Sequence, residues 1–350
     1  TNPFSTLTKE QLDKYKQQKD YWQYYNGNYR KNLASKVLPN GSIIDDNVTI
    51  NLAKRIIDKG NNFLFGKGIE WQLDEVANSE AIENSLYNIW GNQEKLNSFL
   101  PELGINGGIT GDYYLQIVKH PTKGLKVKNL NPTYMFPTPD PYDDDEALQY
   151  EMRWHLGDDW YRLIHKPKDD KNWVFYKEKW NGKKWEQVSP TEIWPYSWPF
   201  ILHGKNLPNP NSYYGQSDLV DITLNDPLNS VASNLNRIIR IFAHPMLWSK
   251  GMGDMKSITT DNILNTTNDK AELNALELGR DLNSAQEYLK FLRSLIAEIS
   301  NVPESDPERL KIGASSGFAL QVLLNDLILK TGIKQATYGK TLIECNRRLL

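Results

Sequence analysis

The sequence predicts an α+β protein, with helices and antiparallel strands in separate stretches of chain. Three observations carry this. Apolar residues recur at helical spacing up to about residue 105, the period shortens to two between Gly111 and Gly204, and Ser316 to Leu350 contains no proline.

Thr8 with Gln11 three residues later forms a capping box, so a polar helix is expected from there to Tyr25, stopped by Asn26-Gly27. Asn47 to Leu64 reads as an amphipathic helix with Ile50, Ala53, Ile56, Ile57 and Leu64 near one face. Phe65-Gly66-Lys67-Gly68 then turns into a short strand, Ile69–Trp71. Helices follow around Glu80–Trp90 and Gln93–Ile105, with Leu86, Ile89, Leu96, Phe99, Leu100 and Leu103 facing inward.

The runs DYYLQIVKH, LKVKNL, LQYEMRWHL, DWYRLIHK, NWVFYKEKW and KKWEQVS are aromatic or β-branched and separated by turn residues. They predict a meander of antiparallel strands, with Asn181-Gly182 as the strongest turn signal. LPNPNSYYGQSD reads as a linker. Ser217 can cap a helix running towards Phe242, with Pro227 near its first turn. A strand-like PMLWSK and a small polar module to about Leu282 precede a second helix, Ser284 to Ser300. After the irregular NVPESDPERLKIGASSG, the proline-free tail predicts a helix of roughly 50 Å at about 1.5 Å per residue. Gly332 and Gly339 are its expected bend points. Its early part (Phe318, Ala319, Leu320, Val322, Leu323, Leu324, Leu327, Ile328, Leu329) is apolar almost all round and needs cover on several sides.

Composition narrows the function. The 350 residues carry 41 Lys and Arg against 43 Asp and Glu, a net charge of −2. Tight static binding to nucleic acid normally needs a basic excess to neutralise phosphates, whereas a duplex sliding past does not. Cys345 is the only cysteine, which excludes an intrachain disulfide or a cysteine zinc site and fits a reducing compartment. No apolar run reaches the roughly 18 residues of a membrane span, and TNPFSTLTKEQ lacks the regions of a signal peptide. The absence of an initiator methionine suggests a processed or trimmed chain.

The residues offer little catalytic chemistry. Lys311 precedes the glycines of KIGASSGFALQ and no strand comes before it, so a phosphate-binding P-loop is excluded. Gly313-Ala314-Ser315-Ser316-Gly317 matches the G-x-S-x-G pattern of a nucleophile elbow, but that motif also needs a preceding strand and a histidine after the serine. His120, His155, His165, His203 and His244 all come before it. Ser315 or Ser316 reads better as the N-cap of the long helix. The acidic run Asp140 to Glu146 lacks the loop glycine and ligand alternation of an EF-hand and reads as a solvated hairpin tip. No histidine spacing suits a metal, and no cofactor is expected. The Trp- and Tyr-rich sheet reads as core or subunit contact, with a glycan-binding surface as the rival. A serine hydrolase using Ser315 is the remaining alternative.

Five stretches together carry a resemblance: YWQYYNGNYR; NLAKRIIDKGNNFLFGKGIEW; GDYYLQIVKH with NLNPTYMFPTPDP; YYGQSDLVDITLNDPLNSVASNL; and NVPESDPERLKIGASSGFALQ. The chain resembles the portal proteins of tailed double-stranded-DNA bacteriophages, particularly those of long-tailed phages of Gram-positive hosts. That resemblance implies the portal-protein fold and a non-enzymatic, dodecameric ring at one capsid vertex of the virion, assembled in the host cytoplasm. DNA would pass through its channel, driven by the terminase large subunit, among capsid and scaffolding proteins. Residues 1–216 would be the wing, 217–242 and 284–300 two stem helices, and 243–283 a small α/β clip. Trp248, Lys250, Lys256, Asp269, Lys270 and Glu272 of the clip would face terminase and then the head-completion adaptor. Residues 301–316 would be a tunnel loop, and 317–350 the long helix towards a crown. In that loop Arg309 and Lys311 are candidate phosphate contacts, Gly313 and Gly317 hinges, and Ser315 and Ser316 the helix cap. Such chains continue into a helical crown where this one stops at Leu350, so a minimal or truncated crown is expected.

Overall fold

The computed structural model describes residues 2–28, 32–34, 36–37, 41, 43–73, 78–91, 93–122, 124–243, 247–250, 270, 272–275, 282–304 and 317–350. The elements, in chain order, are α1 (Lys9–Tyr25), β1 (Lys36–Val37), β2 (Ile43–Ile44), α2 (Leu52–Phe65), α3 (Ser79–Trp90) and α4 (Gln93–Thr110). Strands follow: β3 (Asp112–His120), β4 (Gly124–Leu130), β5 (Thr138–Asp140), β6 (Asp143–Leu156), β7 (Asp159–Asp169), β8 (Asn172–Trp180), β9 (Trp185–Gln187), β10 (Glu192–Trp194) and β11 (Ile201–Lys205). Last come α5 (Asn225–Ala243), β12 (Leu247–Lys250), β13 (Glu272–Ala275), α6 (Leu282–Ser300) and α7 (Gly317–Leu349). Two compact units result, one of residues 1–28, 51–222 and 296–350, the other of 29–50 and 223–295. The α+β expectation holds.

In the larger unit α1 starts as read. Thr8 Oγ1 accepts the Gln11 N–H and Gln11 Oε1 accepts the Thr8 N–H. α2 starts at Leu52 rather than Asn47, because it is the Asn51 side chain that caps it, accepting the Lys54 N–H at 2.9 Å. Ala53, Ile56, Ile57 and Leu64 are buried as expected, while Ile50 lies outside the helix. The strand expected at Ile69–Trp71 does not form. The backbone N–H groups of Trp71 and Leu73 go instead to Tyr87 Oη and Glu83 Oε1. α4 runs five residues past Ile105, through Gly107 and Gly108. Those glycines admit the long helix: a Cβ at Gly107 would lie 2.0 Å from the Tyr338 hydroxyl.

The expected single meander is two antiparallel sheets. One has the order β11-β3-β4, the other β10-β8-β7-β6-β5 with β9 on the end of β8. The Asn181-Gly182 turn closes β8 onto β9, pairing Trp180 with Trp185. Asp140 to Glu146 is the tip between β5 and β6, with Tyr142 97% exposed. Part of the Trp and Tyr set builds the core: Tyr113, Tyr114, Tyr150 and Trp173 are buried with Leu96, Leu100 and Leu103, while Tyr142 and Tyr196 are exposed. LPNPNSYYGQSD is no linker. Tyr213, Tyr214, Ser217 and Asp218 are buried, and Tyr213 stacks on His203 at 4.3 Å.

His165 sits in this core with 0% exposure. Its Nδ1 donates to the Val174 carbonyl and its Nε2 accepts the Phe200 N–H, each at 3.2 Å, so only the neutral ring fits both partners. Burial pushes its pKa down to about 3. A folded-state value below the ordinary 6.5 means that the unfolded chain binds the proton first. Stability is therefore full above pH 6.5 and falls by up to about 1.4 kcal/mol per pH unit as the pH drops from there towards 3. Urea unfolding at pH 7 and pH 5 should show this loss, and His165→Gln should flatten it.

In the smaller unit the helix expected from Ser217 starts at Asn225. Ser217 caps no helix. Its Oγ donates to the Gly108 and Ile109 carbonyls and accepts the Leu219 N–H. Arg237 on α5 binds Asp46 at 2.8 Å, and Asn229 Oδ1 accepts the Ile50 N–H, tying residues 46–50 to that helix.

Candidate functional site at the base of the long helix

α7 changes character along its length. From Leu327 on, the buried positions Leu327, Thr331, Lys334, Tyr338, Leu342, Cys345 and Leu349 show the three-and-four spacing of a helix with one inner face, with Thr341 and Asn346 buried beside them. Before Leu327, none of the described side chains is buried: Phe318 is 75% and Val322 60% exposed. The helix runs without interruption through Gly332 and Gly339, the expected bend points.

The inner face carries a charge. The Lys334 and Lys330 ammonium groups both bind the Asp218 carboxylate, Lys330 at 3.0 Å. Burial alone would raise the Asp218 pKa, but the two lysines outweigh it and hold the group below the ordinary carboxylate value. A second buried carboxylate, Asp112, is held down in the same way by Lys14 at 3.1 Å and His203 at 3.0 Å. Tyr113 and Tyr338 stack at 4.2 Å between the two sites. Burial pushes the Cys345 thiol up to about 12, so it is an inert core group.

Lys330 also donates to the carbonyl of Ser300, the last residue of α6, at 3.0 Å. α6 ends through Asn301 in the left-handed conformation (φ 57°), with the Val302 N–H returning to Ala297 O. Val302 is buried, and the Pro303 carbonyl accepts from Arg55 at 3.3 Å and Lys59 at 3.1 Å, both on α2. The chain is thus held in place as far as Pro303.

Of the residues singled out in the sequence, Arg309, Lys311, Gly313, Ser315, Ser316, Lys256 and Asp269 lie outside the described residues. Gly317 is the first residue of α7. Trp248 and Lys250 are on β12 and Glu272 on β13, and the register sets Lys250 opposite Glu272 and Trp248 opposite Asn274. Lys250, Lys270 and Glu272 are exposed. Among the described residues no group of three or more His, Cys, Asp or Glu side chains is placed to hold a metal ion. Sequence reasoning passed over Asp218, Lys330, Lys334, Arg55 and Lys59. One signal was there: Lys334 falls in step with Leu327, Thr331 and Tyr338, and a lysine on an inner stripe demands a carboxylate.

Residues 5–350 match the family described as "Phage portal protein, SPP1 Gp6-like". The chain belongs to that family. Among solved structures, this portal chain is similar to one titled "Neck of empty GTA particle computed with C6 symmetry" at 12% identity, with a TM-score of 0.46 over 83% of this chain and 79% of that one. At that score the likeness carries no argument. No curated protein matches the portal chain.

Proposed function

We propose that this portal chain forms a homo-oligomeric ring, a dodecamer, at one capsid vertex, and that double-stranded DNA passes through its channel during packaging and ejection. The observation that favours assembly is the start of α7. Among the described residues there, Phe318 and Val322 are exposed in the single chain, and a copy beside it would bury them. In this reading 1–216 is the wing, 217–242 and 284–300 the stem, 243–283 the clip and 301–316 the tunnel loop. The clip, with Trp248, Lys250, Lys256, Asp269, Lys270 and Glu272, docks the terminase large subunit and later the head-completion adaptor. The chain itself catalyses nothing; ATP hydrolysis belongs to the motor partner.

Arg309 and Lys311 supply weak point charges to a passing polyanion, while Gly313 and Gly317 supply backbone freedom. Gly313→Pro, or deletion of 311–314, should therefore leave rings intact and stop or stall packaging of DNA into proheads. Lys311→Ala should be milder, since many subunits share the load. Packaging at wild-type rate and length by the deletion variant would reduce the segment to a connector. The glycan-binding alternative is less favoured, because Tyr113, Tyr114, Tyr150 and Trp173 among its rings are core.

A further inference from the structure

One buried and one half-buried lysine against one buried carboxylate is an unbalanced way to hold a helix. An apolar stripe would serve stability as well or better, because desolvating charges is expensive. The excess positive charge has a specific destination. Lys330 spans from Asp218 Oδ1 to the Ser300 carbonyl, 3.0 Å each, and that carbonyl is at the C-terminal, partly negative end of α6. The third member of the cluster is thus a helix end. Lys334 binds the other Asp218 oxygen, Oδ2, and does not depend on Ser300.

Lys330 also has somewhere else to go. It lines an open groove of about 520 Å³ together with Asn301, Asp218, Leu329, Ile333 and Asp326. Asp326 is one turn before it on the same face, within the reach of an i, i+4 pair, and among the described residues no cation is bonded to it. Lys330 is half-buried rather than sealed in, so its four-carbon stem can swing without disturbing the core.

We propose that Lys330 is a two-position latch. Turned inward, it clamps the end of α6 to α7 through Ser300 O and Asp218; turned outward, it pairs with Asp326 and releases the Ser300 carbonyl, loosening the end of α6, while Asp218 keeps Lys334. It is a positioning residue, setting where the chain leaves the body after Asn301. The use of that control for a channel loop rests on the portal reading, whereas the latch itself does not.

Hydrogen–deuterium exchange on the full-length protein tests it. Losing a charge-assisted hydrogen bond should open the α6 end about tenfold more often. Lys330→Met should thus speed exchange of amides 297–304 by about that factor, with α4 and β3 unchanged. Lys330→Arg should restore most of the protection. Asp326→Asn, at an exposed position, removes the outward partner and should slow exchange at 297–304 about twofold or more. Unchanged exchange at 297–304 in Lys330→Met, or faster exchange everywhere, would overturn the latch. Should Lys330→Met fail to fold, Asp326→Asn decides: slower exchange supports two positions, and no change refutes them. None of these readouts depends on ring formation or DNA, so a failed latch and a failed portal reading are separable.

Discussion

Asp218→Ala is expected to destabilise the fold by about 3–5 kcal/mol, the range for removing one partner of a buried ion pair. The carboxylate is nearly inaccessible, and its removal strands the Lys334 ammonium, which is similarly buried, without its carboxylate partner. Asp218→Asn should cost nearly as much, since an amide of the same shape leaves both lysines uncompensated. The double variant Asp218→Ala with Lys334→Met should recover much of the loss, because removing both ends of a buried pair is far cheaper than removing one. The pH dependence has a fixed sign. Asp218 has its folded-state pKa below the ordinary carboxylate value of 3.8, so its contribution is present above about pH 4 and is lost as the pH falls through the lower folded value. Asp218→Asn should remove that part of the acid transition and leave the shallower loss below pH 6.5 that belongs to His165. Urea unfolding across pH 3 to 7 separates the two.

Val322→Glu combined with Leu329→Glu is expected to abolish the ring while leaving the subunit folded. Both side chains are 60% exposed in the single chain, so the exchange should change its own stability by about 0.5 kcal/mol or less. In a ring the same positions meet a neighbouring copy, and each subunit would bring two carboxylates into an apolar contact, which they enter only at high cost. Light scattering during gel filtration should show a folded monomer with the wild-type circular dichroism spectrum. Rings that persist in the double variant would move the subunit contact away from this face of α7.

Much of the fold was legible where a local interaction decides it. Thr8 with Gln11, the Asn181-Gly182 hairpin and the uninterrupted tail each depend on residues within a few positions of one another, and each formed as read. The helix starts failed because Asn47, Asn51 and Ser217 are all capable caps, and tertiary contacts took Ser217 for the Gly108 and Ile109 carbonyls. Ile69–Trp71 has strand-like residues but no strand beside it, and pairing is a long-range property that spacing does not carry. The division of the meander into two sheets is the same kind of fact. LPNPNSYYGQSD misled because proline and asparagine signal irregular backbone, not exposure, and here irregular backbone is packed through Tyr213 and Tyr214. The site at the base of α7 was half visible. Lys334 announces a buried charge, but nothing near it in sequence names Asp218, 116 residues away, as the answer.

The central claim is that this chain works as a ring, and the mass of the intact wild-type assembly tests it most directly. Native mass spectrometry should find one closed species at an integer multiple of the 40.4 kDa chain, the dodecamer, seen as a ring with a central hole in negative stain. A single 40.4 kDa species that persists at high protein concentration in moderate salt would contradict it.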